Sequence, residues 1–158
     1  MRASAGGKCE ESVPEGGSYL LFLSLLEAKD IEVGCLGQVH FPEGSYVYTG
    51  SAMGGLDARV ARHLKGGKKV HWHIDHLRRW ADPGGAILIR SHERMECMIN
   101  ELVESLEGTE PFAPGFGCSD CGCVTHLHRL SKEAKVHLRD FFSGSSWIDE
   151  GSRLVPRP

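Results

Sequence analysis

The chain has 158 residues, of which 41% are hydrophobic, which is enough for one domain with a core but too little for two. Its formal net charge of −3 argues against a general nucleic-acid binder, so any contact with nucleic acid must come from a local basic patch. The sequence has no apolar run of membrane-spanning length and no secretory signal, so we expect a cytoplasmic protein without membrane contact and with reduced cysteines.

Both ends of the chain lack periodic patterning. We expect a flexible N-terminal segment over 1–16, a folded domain over 17–130, and a C-terminal segment over 131–158 that is helical and then disordered. Within the domain, the apolar stretch 18–27 predicts a strand that is buried on both faces. Alternating residues on both sides of the Pro-Glu-Gly sequence at 42–44 predict a hairpin.

A strand, a glycine-bearing turn and a helix are predicted over 44–64. Side chains alternate before the turn, glycines permit the turn, and apolar residues recur at helical spacing from Leu56 onwards. This spacing places Arg59, Arg62 and His63 together on a face that adjoins the apolar stripe. The helix therefore presents cations beside a buried face.

Three further elements follow this helix. The residues 71–81 predict a short second helix that is stopped by Pro83 and the glycines after it. A short apolar strand is predicted over 86–90, and an amphipathic helix over 93–106. The chain has no internal repeat.

Several motifs occur in a characteristic order: Gly-Ser-Tyr at 17–19, Tyr-Thr-Gly at 48–50, the helix arginine Arg59, His71, and the acidic helix after strand 86–90. This order resembles the GIY-YIG endonuclease superfamily, closest to an uncharacterised branch found in archaea and bacteria. The chain departs from the family in having Ser18 in its first motif and a long insertion between the two tyrosines.

The resemblance implies an α/β (α+β) fold with a small antiparallel sheet of three strands, flanked by helices. We expect the insertion to extend this sheet or to lengthen its hairpin, and to leave Tyr19 and Tyr48 near each other. The resemblance also implies a metal-dependent endonuclease that hydrolyses DNA phosphodiester bonds in DNA repair or processing.

Hydrolysis of a phosphodiester needs a divalent cation, a base for the attacking water and a positive charge for the transition state. The candidate catalytic residues are Tyr19, Tyr48, Arg59, His71 and Glu96. We expect Glu96 to hold Mg²⁺ or Mn²⁺ through its carboxylate oxygens and Arg59 to stabilise the developing charge. Tyr19 and Tyr48 are candidates for the base, and His71 is either a further candidate or a phosphate contact.

Two glutamates of the helix over 93–106 compete for the role of metal ligand. At 100° per residue, Glu96 borders the apolar stripe, whereas Glu101 points away from it towards solvent. A catalytic carboxylate is best held at such a border, where packing fixes its rotamer, so Glu96 is preferred and Glu101 is the reserve.

The cations that follow Arg59 form the local basic patch. We expect DNA contacts from Arg62, His63, Lys65, Lys68 and Lys69.

The segment 118–128 combines cysteines and histidines at short spacing, which suits zinc. The candidate ligands are Cys118, Cys121, Cys123 and His126. The second Cys-x-x-Cys pair of a zinc ribbon is missing, so these cysteines have the alternative interpretation of buried thiols without a metal. Asp120 and His126 are also candidates to line the catalytic cleft.

Two other functions compete with the nuclease. The first is a catalytically inactive GIY-YIG-fold module that binds nucleic acid and holds a structural zinc. The second is a zinc-dependent hydrolase centred on His71, His73, Cys121 and His126. Within the short helix, His71 could instead pair with Asp75.

Overall fold

The sheet of this protein is built around one long apolar strand, β1 (Gly17–Leu25), in a computed structural model that describes residues 13–67, 69–149 and 154–155. Eight of the nine residues of β1 are buried, which confirms the predicted strand with both faces covered. Among the sequence-based assignments, Lys68, most of the N-terminal segment 1–16 and part of the C-terminal tail lie outside the described residues.

Eight further strands and four α-helices follow β1 in the described ranges. The strands are β2 (Lys29–Glu32), β3 (Gln38–Phe41), β4 (Gly44–Ala52), β5 (Asp82–Arg90), β6 (Thr109–Pro111), β7 (Leu127–Leu130), β8 (Ser146–Ile148) and β9 (Leu154–Val155). The helices are α1 (Leu56–Lys65), α2 (His73–Arg78), α3 (Glu96–Ser105) and α4 (Lys132–Phe141). None of the helices in these ranges has the length and apolarity needed to span a bilayer.

Seven strands form one antiparallel sheet in the order β6-β7-β4-β1-β5-β8-β9. The expected mixture of helices with an antiparallel sheet is therefore present. Strands β4, β1 and β5 form the centre of this sheet, and it is larger than the three strands that the resemblance implied.

The predicted hairpin around residues 42–44 is wrong. Strand β3 pairs with β2 in a separate two-stranded sheet, whereas β4 pairs with β1 on one side and β7 on the other. Because both edges of β4 are occupied, β3 has no place beside it, and Pro42 has no N–H with which to continue a ladder. The insertion thus forms its own small sheet.

Helices cover both faces of the large sheet. On one face, α1, α2 and the two-stranded sheet contribute a core that includes Leu56, Val60 and Phe41. On the other face, Ile99 of α3 and Leu138 of α4 pack against β1 and β4. Full burial of one such side chain contributes about 1.5–3 kcal/mol, so both faces stabilise the position of β1 and β4.

The C-terminal segment contains ordered elements that the sequence pattern did not indicate. Strand β8 pairs with β5 through residues 146–148, and the Trp147 ring lies against Phe22 of β1 with 5.9 Å between ring centroids. The part of the chain after α4 that we expected to be disordered therefore contributes two strands to the sheet.

Candidate active site

A cleft of about 300 Å³ lies where β1, β4, α1 and α3 approach one another. Its lining residues are Tyr19, Tyr48, Ser51, Arg59, His71, Trp72, His73, Arg94, Glu96, Gly117, Ser119 and Asp120. The five residues assigned to catalysis from the sequence are all in this set. Sequence reasoning missed Ser51, Trp72 and Arg94, because each lies between recognised motifs and only the fold brings it to the cleft.

The two tyrosines lie on neighbouring strands and on the same face of the sheet. In the β1–β4 register Tyr19 pairs with Gly50 and Leu21 pairs with Tyr48, so the tyrosines are diagonal neighbours with ring centroids 6.1 Å apart. The expectation that they lie close together despite the insertion is confirmed.

A glycine beside each tyrosine makes room for its ring. A Cβ atom at Gly50 would lie 2.4 Å from the Tyr19 ring, and one at Gly117 would lie 2.7 Å from the Tyr48 ring. Gly117 also has φ of +70°, a conformation that side chains with a Cβ rarely adopt. Both positions therefore require glycine.

Tyr19 is held from behind by a histidine. Its hydroxyl forms a hydrogen bond of 2.9 Å with Nε2 of His63, and Nδ1 of His63 lies 3.8 Å from a carboxylate oxygen of Asp75. Burial lowers the pKa of His63 to about 4, so its ring is neutral at pH 7, and burial raises the pKa of Tyr19 well above its usual range. His63 is 1% exposed, so its assignment to DNA contact is wrong.

Asp75 organises the wall of the cleft formed by α1 and α2. Its carboxylate accepts two hydrogen bonds from the Arg62 guanidinium, at 3.0 and 3.2 Å, and one each from the backbone N–H of His71 and Trp72. Burial raises its pKa, but these hydrogen bonds outweigh burial and lower the pKa overall. The proposed pairing of His71 with Asp75 thus occurs through the backbone, as in a helix capping box.

Arg59 reaches the cleft from α1. Its Nη1 donates to the carbonyl oxygen of Ser51 at 3.3 Å, and its guanidinium lies 4.2 Å from the centre of the Trp72 ring. The Arg62 guanidinium lies 4.8 Å from the same ring. A cation over an indole face is stabilised by the ring quadrupole, so Trp72 helps to position both arginines.

Glu96 begins helix α3 and lines the cleft, whereas Glu101 is exposed elsewhere on the same helix. The Glu96 side chain is 14% exposed, and its Oε1 lies 3.5 Å from Nδ1 of the buried His126. The carboxylate is therefore accessible to a ligand in the cleft but backed by the protein, as the helical geometry predicted. Arg94, just before α3, adds an exposed positive charge to the same rim.

The cations assigned to DNA contact differ in accessibility. Lys65 and Lys69 are exposed, while Arg62 is half-buried and engaged by Asp75. Arg62 therefore acts more as a structural support for the wall of the cleft than as an unpaired charge for DNA contact.

Behind Glu96, four side chains converge in a group that we call the thiolate cluster: Cys97, Cys121, Cys123 and His126. Their sulfur and nitrogen atoms all lie within 4.8 Å of one another, so the cluster could hold a metal ion. Cys118 was wrongly included among the ligands, because its thiol faces the carbonyl oxygen of Val124 at 3.5 Å. Sequence reasoning missed Cys97, which stands far from the other cysteines and joins them only through the packing of α3.

The ligand set of the alternative zinc hydrolase is not brought together. His73 accepts a hydrogen bond from the backbone N–H of Gly117 at 2.9 Å through its Nδ1, and neither it nor His71 belongs to the thiolate cluster. His126 is fully buried behind Glu96, so of the two further cleft candidates only Asp120 lines the cleft.

Comparison with known sequences gives one family. The sequence profile of the family described as Domain of unknown function DUF123 matches residues 18–145, a range that contains every residue lining the cleft and the whole thiolate cluster. No curated protein matches the chain. No solved structure matches it either.

Proposed function

Since the chain belongs to the DUF123 family, whose function is unknown, its activity has to be argued from its own site, and we propose that it is a metal-dependent endonuclease that hydrolyses DNA phosphodiester bonds. One observation carries this proposal. Tyr19, Tyr48, Arg59, His71 and Glu96 come from distant parts of the sequence and line a single cleft. Phosphodiester hydrolysis needs this combination of carboxylate, guanidinium and potential bases.

We further propose that the fold is of the GIY-YIG type. The order of the elements supports this proposal: the two tyrosines stand on adjacent antiparallel strands, the arginine on the helix that follows, and the glutamate on a later helix. The additional strands and the small sheet of the insertion would then be elaborations around that arrangement.

Glu96 fits the role of anchor for Mg²⁺ or Mn²⁺. Both ions prefer oxygen ligands, and the Glu96 carboxylate is the acidic group of α3 that faces the cleft. Such an ion, when bound, polarises a phosphate oxygen and makes water a stronger nucleophile. Arg59, held by Ser51 and Trp72, would stabilise the negative charge that develops on the phosphate.

The candidate bases differ in their surroundings. Tyr19 and Tyr48 are buried, and burial raises the pKa of both phenols, so each would need a nearby positive charge to release its proton. His71 is exposed in the cleft, where a water molecule can reach its ring. Replacement of each by Phe or Asn in cleavage assays over a range of pH would identify the base.

Zinc is the ion we propose for the thiolate cluster. Three thiolates and one imidazole form a soft ligand set of the kind found in structural zinc sites. For a tetrahedral zinc site with bonds of about 2.3 Å, ligand atoms are about 3.8 Å apart, so atoms that lie within 4.8 Å need only a small movement to close around the ion.

The test is cleavage of labelled single-stranded, duplex and branched DNA with Mg²⁺ or Mn²⁺. Arg59→Ala and Glu96→Gln should each lower the rate by about 10²–10³-fold, because each removes a charge that acts in the transition state. Glu101→Gln, on the exposed face of the same helix, is the matched control and should cut like the wild type. Cleavage that survives both substitutions would refute the site. Binding of DNA without cleavage would favour the inactive binding module.

A further inference from the structure

The thiolate cluster and the cleft share a boundary in helix α3. Glu96 and Cys97 are consecutive residues in its first turn, so the carboxylate in the cleft and one thiol of the cluster are carried by the same piece of backbone. The loop that supplies the other thiols is tied to α3, because Nδ2 of Asn100 donates to the carbonyl oxygen of Thr125 at 2.8 Å. A metal ion that orders the cluster would therefore also order the backbone that carries Glu96.

His126 connects the two sites directly. Its Nε2 lies 3.4 Å from the Cys121 sulfur, within the cluster, while its Nδ1 lies 3.5 Å from the Glu96 carboxylate. The ring is fully buried, and at this separation Nδ1 does not form a hydrogen bond. Its backbone is anchored on both sides, since its N–H donates to Phe116 and its carbonyl oxygen accepts from Thr49.

The two ring nitrogens of a neutral imidazole cannot both carry a proton. When a metal ion occupies Nε2, the proton must be on Nδ1, where it can be donated to the Glu96 carboxylate. The Glu96 carboxylate beside Nδ1 favours the same tautomer, and an ion on Nε2 would hold the ring in it. Metal binding would thus fix the orientation of the imidazole that faces Glu96.

The geometry points to a zinc site at Cys97, Cys121, Cys123 and His126 that positions Glu96 for the ion in the cleft, with His126 as the positioning residue. This arrangement of carboxylate, histidine and zinc makes the cleft depend on a second, thiolate-held metal. The inference rests on the proposed role of Glu96 as the ligand of the catalytic cation, but it does not require that DNA be the substrate.

The first experiment measures zinc by mass spectrometry, and the visible spectrum of the cobalt-substituted protein, for wild type, Cys97→Ser and the control Cys118→Ser. We expect wild type and Cys118→Ser to retain equimolar zinc after dialysis and to give the spectrum of tetrahedral cobalt with thiolate ligands. Cys97→Ser should lose both signals. Wild-type protein without zinc affinity, or an unchanged Cys97→Ser variant, would overturn the site.

The second experiment measures the coupling without DNA, as Mn²⁺ binding by electron paramagnetic resonance in the zinc-loaded protein. His126→Cys can keep zinc through four thiolates but loses the imidazole that faces Glu96. It should bind Mn²⁺ about 10–100-fold more weakly than wild type, as is typical when such an outer partner is removed. Unchanged Mn²⁺ affinity in zinc-loaded His126→Cys would overturn the coupling. Glu96→Gln is the reference in which this Mn²⁺ site is lost.

A third readout needs no variant. Nitrogen-15 spectra of the histidine side chains report which ring nitrogen carries the proton, and zinc-loaded His126 should carry it on Nδ1. A proton on Nε2 in the zinc-loaded protein would overturn the inference. Because none of these measurements uses DNA, failure of wild type to cut DNA would refute the nuclease and leave the zinc-coupled site standing.

Discussion

The cleft has two walls that are held in different ways. In the helix wall, formed by α1 and α2, Asp75 accepts four hydrogen bonds, and His63 supports the Tyr19 hydroxyl. In the thiolate wall, formed by α3 and the loop 118–126, three thiols and one imidazole converge, and the buried Nδ1 of His126 lies 3.5 Å from the Glu96 carboxylate. Among the described residues, Nδ1 of His63 in the helix wall also lacks a hydrogen bond, so the difference lies elsewhere: only the thiolate wall gathers a set of ligand atoms that could bind a metal ion.

The difference indicates which parts of the site can form without a metal. Hydrogen bonds of the helix wall form as the chain folds, so Tyr19 and Arg59 should be in place in the metal-free protein. The position of Glu96 should depend on metal content, because its closest buried partner belongs to the cluster. The following predictions test this division.

Removal of zinc should have the largest effect, and it should be confined to the thiolate wall. A free zinc concentration about 1,000 times the dissociation constant stabilises the folded state by about 4 kcal/mol. This corresponds to about 10 °C in the melting temperature of a chain of this size. We expect a zinc chelator to lower the melting temperature by that amount and to speed hydrogen exchange in residues 118–126. Equal acceleration in α1 and α2 would contradict the division.

Acid should weaken the helix wall through His63. Its folded pKa of about 4 lies below the value of about 6.5 in the unfolded chain, so the unfolded state binds more protons between these values. The contribution of neutral His63 to the free energy of unfolding is complete above pH 6.5 and is lost progressively as pH falls towards 4. It amounts to about 3 kcal/mol.

The pH dependence should be measured by urea denaturation with chelator present, which removes the acid sensitivity of the thiolate site. His128 is also buried, and burial lowers its pKa to about 4, so it contributes in the same direction. His63→Gln should therefore reduce the dependence on pH between 4 and 6.5 by about half. An unchanged slope would show that His63 is not held neutral by the fold.

Asp75→Ala should cost about 2 kcal/mol of stability, because two backbone N–H groups lose their acceptor and, within the described ranges, Arg62 keeps only its hydrogen bond to the carbonyl oxygen of Lys69. The loss should be the same with and without chelator, since the helix wall does not contain the metal. Asp120→Ala, an exposed carboxylate in the cleft, should change stability by less than about 0.5 kcal/mol. A chelator-dependent effect of Asp75→Ala would mean that the two walls are coupled.

The smallest effect distinguishes contact with DNA from support of the wall. Trp72 is exposed in the cleft beneath two arginines, so Trp72→Ala should weaken DNA binding by about 1 kcal/mol, or about 5-fold, in a titration with labelled DNA. Trp80 is also exposed beneath a cation, Lys29, but does not line the cleft. Trp80→Ala should therefore leave the affinity unchanged, and equal losses would refute the assigned surface.

Local patterns in the sequence predicted much of the helix wall. The apolar spacing from Leu56 predicted α1 and the side on which Arg59 lies, and the helical geometry of α3 distinguished Glu96 from Glu101. The same spacing placed His63 among the surface cations. It could not show that His63 is buried, because that depends on a contact with Tyr19 from another element.

Other features depend on contacts between distant segments and left no local signal. Cys97 looks like an ordinary helix residue until the loop 118–126 packs against α3. The pairing of β3 with β2 in place of β4 is decided by β7, a strand near the other end of the domain that takes the edge of β4. Spacing within one element could not reveal either arrangement.

The boundary of the family match falls directly before a strand of the large sheet. The match ends at residue 145, and β8 begins at Ser146, where it covers the outer side of β5. A chain cut after residue 145 would keep every cleft residue but would leave the N–H and C=O groups on the outer edge of β5, at residues 86–88, without their partners in β8. Exposed strands of this kind pair with one another, so the shortened protein should self-associate even though its cleft is intact.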